Sequence, residues 1–125
     1  LYSFIGNLTI YVKSRAFPVS NVSKEESIAI EMLREMITEA EYRKYIKDGF
    51  ICVKGVSGKI YQVFRHNNHV RVWHNGKLIE EICSYISDTS VPPTDKVVAF
   101  KTIIETDEEE FRSLGNVYKM RSMAA

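Results

Sequence analysis

From Gly49 to Ile79 the chain reads GFICVKGVSGKIYQVFRHNNHVRVWHNGKLI, and this stretch decides the fold. Phe50-Ile51-Cys52-Val53 has strand character and Gly55-Val56-Ser57-Gly58 is a turn. Lys59 to Arg65 predicts a second strand, His66-Asn67-Asn68 a second turn, and His69 to His74 a third strand. Asn75-Gly76 is the strongest two-residue hairpin signal, because a type I′ turn needs positive φ at both of its central residues. Leu78 to Ile86 predicts the fourth strand. Sequential hairpins make an antiparallel meander. Alternation places Val70 and Val72 on one face of the third strand and His69, Arg71 and Trp73 on the other. Helices need cover only one face of so small a sheet.

The same stretch contains no Asp or Glu. It carries Lys54, Lys59, Arg65, Arg71 and Lys77 together with all three histidines, His66, His69 and His74. A net charge of +1 thus conceals a basic sheet beside acidic helices. A local field of this kind acts over about a Debye length, ~8 Å at physiological salt, and suits either partner recognition or internal docking.

Upstream, Ser23-Lys24-Glu25-Glu26 reads as a capping box that opens a helix with an apolar stripe of Ile28, Met32, Leu33, Met36 and Ile37. Thr38-Glu39-Ala40-Glu41 is a second box, opening a helix that presents Tyr42, Tyr45 and Ile46 and stops at Asp48-Gly49. Downstream, Ser87 to Thr94 reads as a loop containing Pro92-Pro93. Thr94 is placed to cap a third helix with Val97, Val98, Phe100, Ile103 and Ile104. Thr106-Asp107-Glu108-Glu109 is a third box, starting a short acidic helix with Phe111 and Leu114 that ends at Gly115.

The expected fold is therefore α+β: a four-stranded antiparallel meander flanked by two N-terminal and two C-terminal helices. Residues 1–22 form an N-terminal strand or arm around Leu8-Thr9-Ile10-Tyr11-Val12, residues 23–118 the compact domain, and 119–125 a flexible tail. At 125 residues with 45% apolar composition, one domain with a real core is expected. No run of about 18 apolar residues is present, so no membrane span is expected. The start, Leu1-Tyr2-Ser3-Phe4-Ile5, does not read as a signal peptide, and the expected location is the cytoplasm or a virion. Cys52 and Cys83 read as two buried small apolar residues of a reducing compartment.

From Leu33 to Asn116 the chain resembles a small uncharacterised domain that recurs in phage and environmental open reading frames. The resemblance is carried by Gly49-Phe50, Val53, Gly55, Gly58, Tyr61, Val63, Val70, Cys83, Pro93, Asp95, Ala99, Lys101, Glu105, Asp107-Glu108, Phe111 and Asn116. It implies helices, a hairpin sheet, a closing helix and a viral or mobile-element setting, and it carries no catalytic residues. The order of strands then helix is also faintly similar to the SWIM zinc module, whose Cys-x-Cys and Cys-x-His pairs are absent here.

Chemistry is sparse. His66-x-x-His69 has metal-ligand spacing but flanks a polar turn, where exposed imidazoles are common, so no metal or cofactor is expected. Neither a serine elbow, a phosphate-cradling glycine loop nor a His-Glu-x-x-His motif appears, so neither an enzyme nor a small-molecule substrate is expected. The expected function is a non-enzymatic binding and assembly module, a virion or nucleoprotein component of phage type, with a protein partner or self-assembly. One alternative is nucleic-acid binding, in which His69, Arg71 and Trp73 stack bases while Lys59, Arg65 and Lys77 contact phosphates. The modest net charge and the acidic run Asp107 to Glu110 weigh against it. A second alternative is a small regulatory protein that binds a host protein.

Overall fold

The computed structural model describes residues 22–85 and 91–121. In chain order the elements are α1 (Lys24–Arg34), α2 (Glu39–Asp48), β1 (Phe50–Lys54), β2 (Ile60–Phe64), β3 (His69–His74), β4 (Lys77–Ser84), α3 (Pro93–Thr106), α4 (Glu108–Arg112) and β5 (Gly115–Lys119). The sheet is antiparallel throughout and its strands lie in sequence order from β1 to β5. The α+β class and the meander stand, but the sheet has five strands rather than four.

The fifth strand begins at the helix stop, Gly115, where the sequence predicts no element. Gly115 to Lys119 pairs with β4 in register, Ile82 opposite Val117 and Glu81 opposite Tyr118. Met120 extends the ladder by donating its N–H to the Ile79 carbonyl at 2.8 Å. Lys119 therefore belongs to the domain and not to a tail. The N-terminal strand or arm lies outside the described residues except for Val22, as do Ile86 and the last four residues.

Gly115 makes the close β4–β5 approach possible. A Cβ there would lie 2.4 Å from the Cys83 carbonyl oxygen and 2.9 Å from Ser84 Cα. Both obstacles are backbone, so Gly115→Ala is expected to cost about 1–3 kcal/mol, the range for overpacking. Urea unfolding would read this as a lower midpoint with an unchanged slope.

Local signals explain several elements. Thr38 and Glu41 form a complete capping box: Thr38 Oγ1 accepts from the Glu41 N–H at 3.1 Å, and Glu41 Oε1 accepts from the Thr38 N–H at 2.8 Å. Gly49 ends α2 with φ 81°, and Asn75 and Gly76 turn the β3–β4 hairpin with φ 52° and 79°.

The other two expected boxes are not built. Ser23 Oγ accepts from the Glu26 N–H at 3.0 Å, but the Glu26 side chain turns into the protein. Thr106 is the last residue of α3, and Asp107 caps α4 by accepting from the Glu110 N–H at 3.0 Å. Thr94 is likewise not a cap. α3 begins at Pro93, where a missing N–H costs nothing, and Thr94 lies inside the first turn.

One core lies on one face of the sheet. Ile51, Val53, Tyr61, Val63, Val70, Val72 and Ile82 project into it from the strands. Leu33, Tyr45, Val97, Phe100, Ile104 and Phe111 meet them from the helices. Phe111 stacks edge-on against both Tyr61 and Phe100. Each such side chain contributes roughly 1.5–3 kcal/mol by leaving water.

The stripe on α1 is a further correction. Ala29, Ile30 and Leu33 face the core, whereas Ile28, Met32 and Met36 remain about half exposed. The same side of the helix also buries Glu26, whose carboxylate meets polar partners there.

Candidate functional site

The sheet face turned away from the core is the candidate interface. Strand pairing sets its residues in rows. Cys52, Gln62, Arg71, Glu81 and Tyr118 lie in register across all five strands. Beside them run Lys54, Ile60, Trp73 and Leu78, and on the other flank Phe50 opposite Phe64 and His69, Cys83 and Asn116. A register shift opposite Val72 and Trp73 leaves Ile79 of β4 without a partner on β3, and Trp73 and His74 are both partly buried.

The side chains on this face hold one another. Trp73 Nε1 donates to Gln62 Oε1 at 3.0 Å. The Arg71 guanidinium lies 5.6 Å from the Phe64 ring centre, and Phe64 packs against Phe50 at 5.7 Å. Glu81 lies 3.6 Å from the charged Arg71 Nε and 3.3 Å from His69 Nδ1. Glu81 is the first outward-facing acid beyond the acid-free stretch, and it neutralises Arg71 within the face itself.

The six expected site residues do not converge. His69, Arg71 and Trp73 share the open face, as alternation predicts. Arg65 lies on the opposite, helix-covered side, its side chain 11% exposed and its Nε 2.9 Å from Glu26 Oε2. Lys59 is half-buried on that same side, close enough to Glu80 and Glu108 for its charge to favour their ionised forms. Lys77 is exposed at the start of β4, opposite His74. The basic stretch is thus divided between two faces, because consecutive strand residues point in opposite directions.

Cys52 is exposed on the open face, and Cys83 is half-buried there, contrary to the expectation of two buried thiols. Partial desolvation, the main influence, pushes the Cys52 thiol up, with Lys44 pulling the other way. Burial followed by the Arg65 charge pulls the His66 imidazole below its ordinary range. Among the described residues no three or more His, Cys, Asp or Glu side chains converge as a metal site would require.

Sequence reasoning missed two buried polar clusters under the helices. In the first, Glu26 Oε1 accepts from the Thr94 N–H at 2.9 Å, and Oε2 accepts from Thr94 Oγ1 and Arg65 Nε. The Tyr45 hydroxyl lies 2.7 Å from Thr94 Oγ1. Glu26 therefore supplies the anion at the start of α3, from another helix.

In the second, Glu108 accepts from the Ser57 N–H at 3.0 Å, from Ser57 Oγ at 2.6 Å and from the Tyr61 hydroxyl. Arg112 donates to Tyr61 at 3.3 Å and to Glu80 Oε2 at 2.9 Å, with its Nη1 also 2.8 Å from Glu80 Oε1. Burial opposes ionisation of Glu108, but the bonds from Ser57 and Tyr61 outweigh it and hold the carboxyl below its usual range. The Arg112 hydrogen bond, working against burial, does the same for Glu80. Both oxygens of Glu26 and of Glu108 accept from protein donors, whereas Glu80 Oε1 is buried with no hydrogen-bond partner and is met only by the Arg112 charge. These clusters pin α1, α3 and α4 to the core side of the sheet, so among the described residues no helix covers the other face.

Comparison with protein-family models, curated proteins and solved structures finds no match. No helix among the described residues is long and apolar enough to cross a membrane.

Proposed function

We propose that this chain is a non-enzymatic binding and assembly module, of the kind that serves as a virion or nucleoprotein component of phage type, and that it works through the open sheet face. One observation carries the reading. Phe50, Phe64, Trp73 and Tyr118 lie on one continuous five-stranded surface around the Arg71–Glu81 pair, on the side opposite the helices. Aromatic residues and arginine are the side chains that dominate protein–protein contact energies, and a compensated ion pair suits a protein surface better than a phosphate backbone.

Nucleic-acid binding is the second reading, favoured by the adjacency of His69, Arg71 and Trp73 on β3. Glu81 would repel phosphates at the centre of that platform, and Arg65 is committed elsewhere. A host protein bound on the same face is the third reading.

The double substitution of Arg71 and Trp73 by alanine tests the proposal. Losing even one central anchor of about 2 kcal/mol weakens a contact roughly 30-fold. Light scattering of the purified chain, alone and with a single-stranded oligonucleotide, is expected to show assembled mass that falls in the variant. The oligonucleotide should have no effect on either protein. Mass that rises with oligonucleotide at low salt, and is lost as salt increases, would replace the assembly reading with the nucleic-acid one.

A further inference from the structure

We infer that the free edge of β5 pairs with the β5 of a second copy, joining two sheets into one. The inference rests on the assembly reading in that copies of the chain meet. It adds a surface distinct from the open face and stands on backbone geometry.

The parity of the β4–β5 ladder fixes which groups are available. Leu114 accepts from the Tyr85 N–H at 2.9 Å and Met120 donates to Ile79 at 2.8 Å, so even-numbered residues of this segment turn their backbone toward β4. Gly115, Val117 and Lys119 consequently direct N–H and C=O away from the sheet. β5 is terminal in the strand order, and no described strand lies beyond it. The opposite edge is different: α2 flanks β1, with Lys44 Nζ 5.2 Å from the Phe50 ring centre.

The sequence of β5 is self-complementary about Val117. In an antiparallel pair centred there, Val117 faces its own copy, Gly115 faces Lys119 of the second copy, and Asn116 faces Tyr118. Val117–Val117 and the two Gly115–Lys119 pairs are all of the hydrogen-bonded kind, giving up to about six backbone bonds. No like charges oppose one another. Lysine on an edge strand ordinarily discourages pairing, but here it meets a glycine with no side chain. Asn116 and Tyr118 both project on the open face, where Tyr118 is 54% exposed, so the joined sheets would present one extended open face. The partner's chemistry is thus that of a second copy of this chain, recognised by main-chain hydrogen bonds in a defined register.

Two variants test the pairing. Val117→Pro removes an outward N–H without touching a β4–β5 bond, a change edge strands tolerate. N116E/Y118E leaves the backbone intact and places glutamates opposite one another across the junction. Sedimentation equilibrium over a range of concentrations should give the wild type a mass of twice the 14.4 kDa chain or a multiple of that. Both variants should reduce that mass by half, with unchanged far-UV circular dichroism for N116E/Y118E. A wild-type protein that is monomeric throughout would overturn the pairing. So would an oligomer that withstands Val117→Pro but dissociates when Arg71 and Trp73 are replaced, an outcome that leaves the open-face assembly reading standing.

Discussion

Replacing Glu26 with alanine is expected to destabilise the protein by about 3–5 kcal/mol, a large part of the stability of a domain this size. The side chain is 4% exposed and unites three elements through one carboxylate. It faces the Arg65 guanidinium from β2's end and receives both the N–H and the hydroxyl of Thr94 at the start of α3. Alanine would remove the charge that balances a buried cation and leave the Thr94 N–H without this acceptor, in a place water does not reach. Glu26→Gln keeps the shape and one acceptor but loses the charge, so its cost should fall between alanine and wild type. Glu25→Ala is the control: it lies exposed in the same first turn and should change stability by no more than about 0.5 kcal/mol. Urea unfolding of the three variants checks the assignment. Equal small losses at both positions would mean that Glu26 acts only through the helix dipole, as an ordinary first-turn acid does.

The second large effect is a loss of stability in acid that originates in the Glu108 cluster. Glu80 and Glu108 both titrate below the ordinary glutamate range in the folded protein, and an unfolded glutamate titrates near 4.3. The unfolded chain therefore binds more protons in the interval between the two values. Their stabilisation is complete above the unfolded value and is lost as pH falls through the folded ones. Glu108→Gln should cost about 1–3 kcal/mol at neutral pH, since a charge-assisted set of bonds from Ser57 and Tyr61 is weakened. Its stability should then change less steeply in acid, and the two proteins should converge once Glu108 is protonated in the wild type. Thermal melts at neutral and acid pH measure this. A gap between the two proteins that is unchanged by pH would refute the titration account. The tight seating of the carboxylate gives a steric counterpart: a Cβ on Gly55 would lie 2.5 Å from Glu108 Cδ, so Gly55→Ala should disturb the same cluster.

These clusters also mark where reading the chain alone stops. Ser23-x-x-Glu26 and the acids following Thr106 satisfy a local pattern for helix starts, and local pattern cannot say whether a glutamate folds back on its own helix or crosses to another element. In Glu26 and Glu108 the second course is taken, because donors from Thr94, Ser57 and Tyr61 are brought within reach only when helices and sheet are packed together. The same limit hid β5. Gly115 to Lys119 has no hairpin partner beside it in sequence, and its neighbour β4 is separated from it by two helices. The spacing of helix residues also pointed to a stripe through Ile28, Met32 and Met36, whereas packing buries Ala29, Ile30 and Leu33 instead.

By itself the sequence determined whatever is set within a few residues. The Asn75-Gly76 turn, the Thr38–Glu41 cap, the Gly49 stop and the alternation of β3 follow from backbone stereochemistry and short-range hydrogen bonds. Its charge segregation was equally legible, but whether those charges share a surface was not. Only the tertiary structure decided that Arg65 and Lys59 lie on the helix side of the sheet, that Glu81 sits against Arg71, and that β5 is terminal among the described strands. The physical reason is that a strand sends alternate side chains to opposite faces, while the neighbours that neutralise or bury them come from segments distant along the chain.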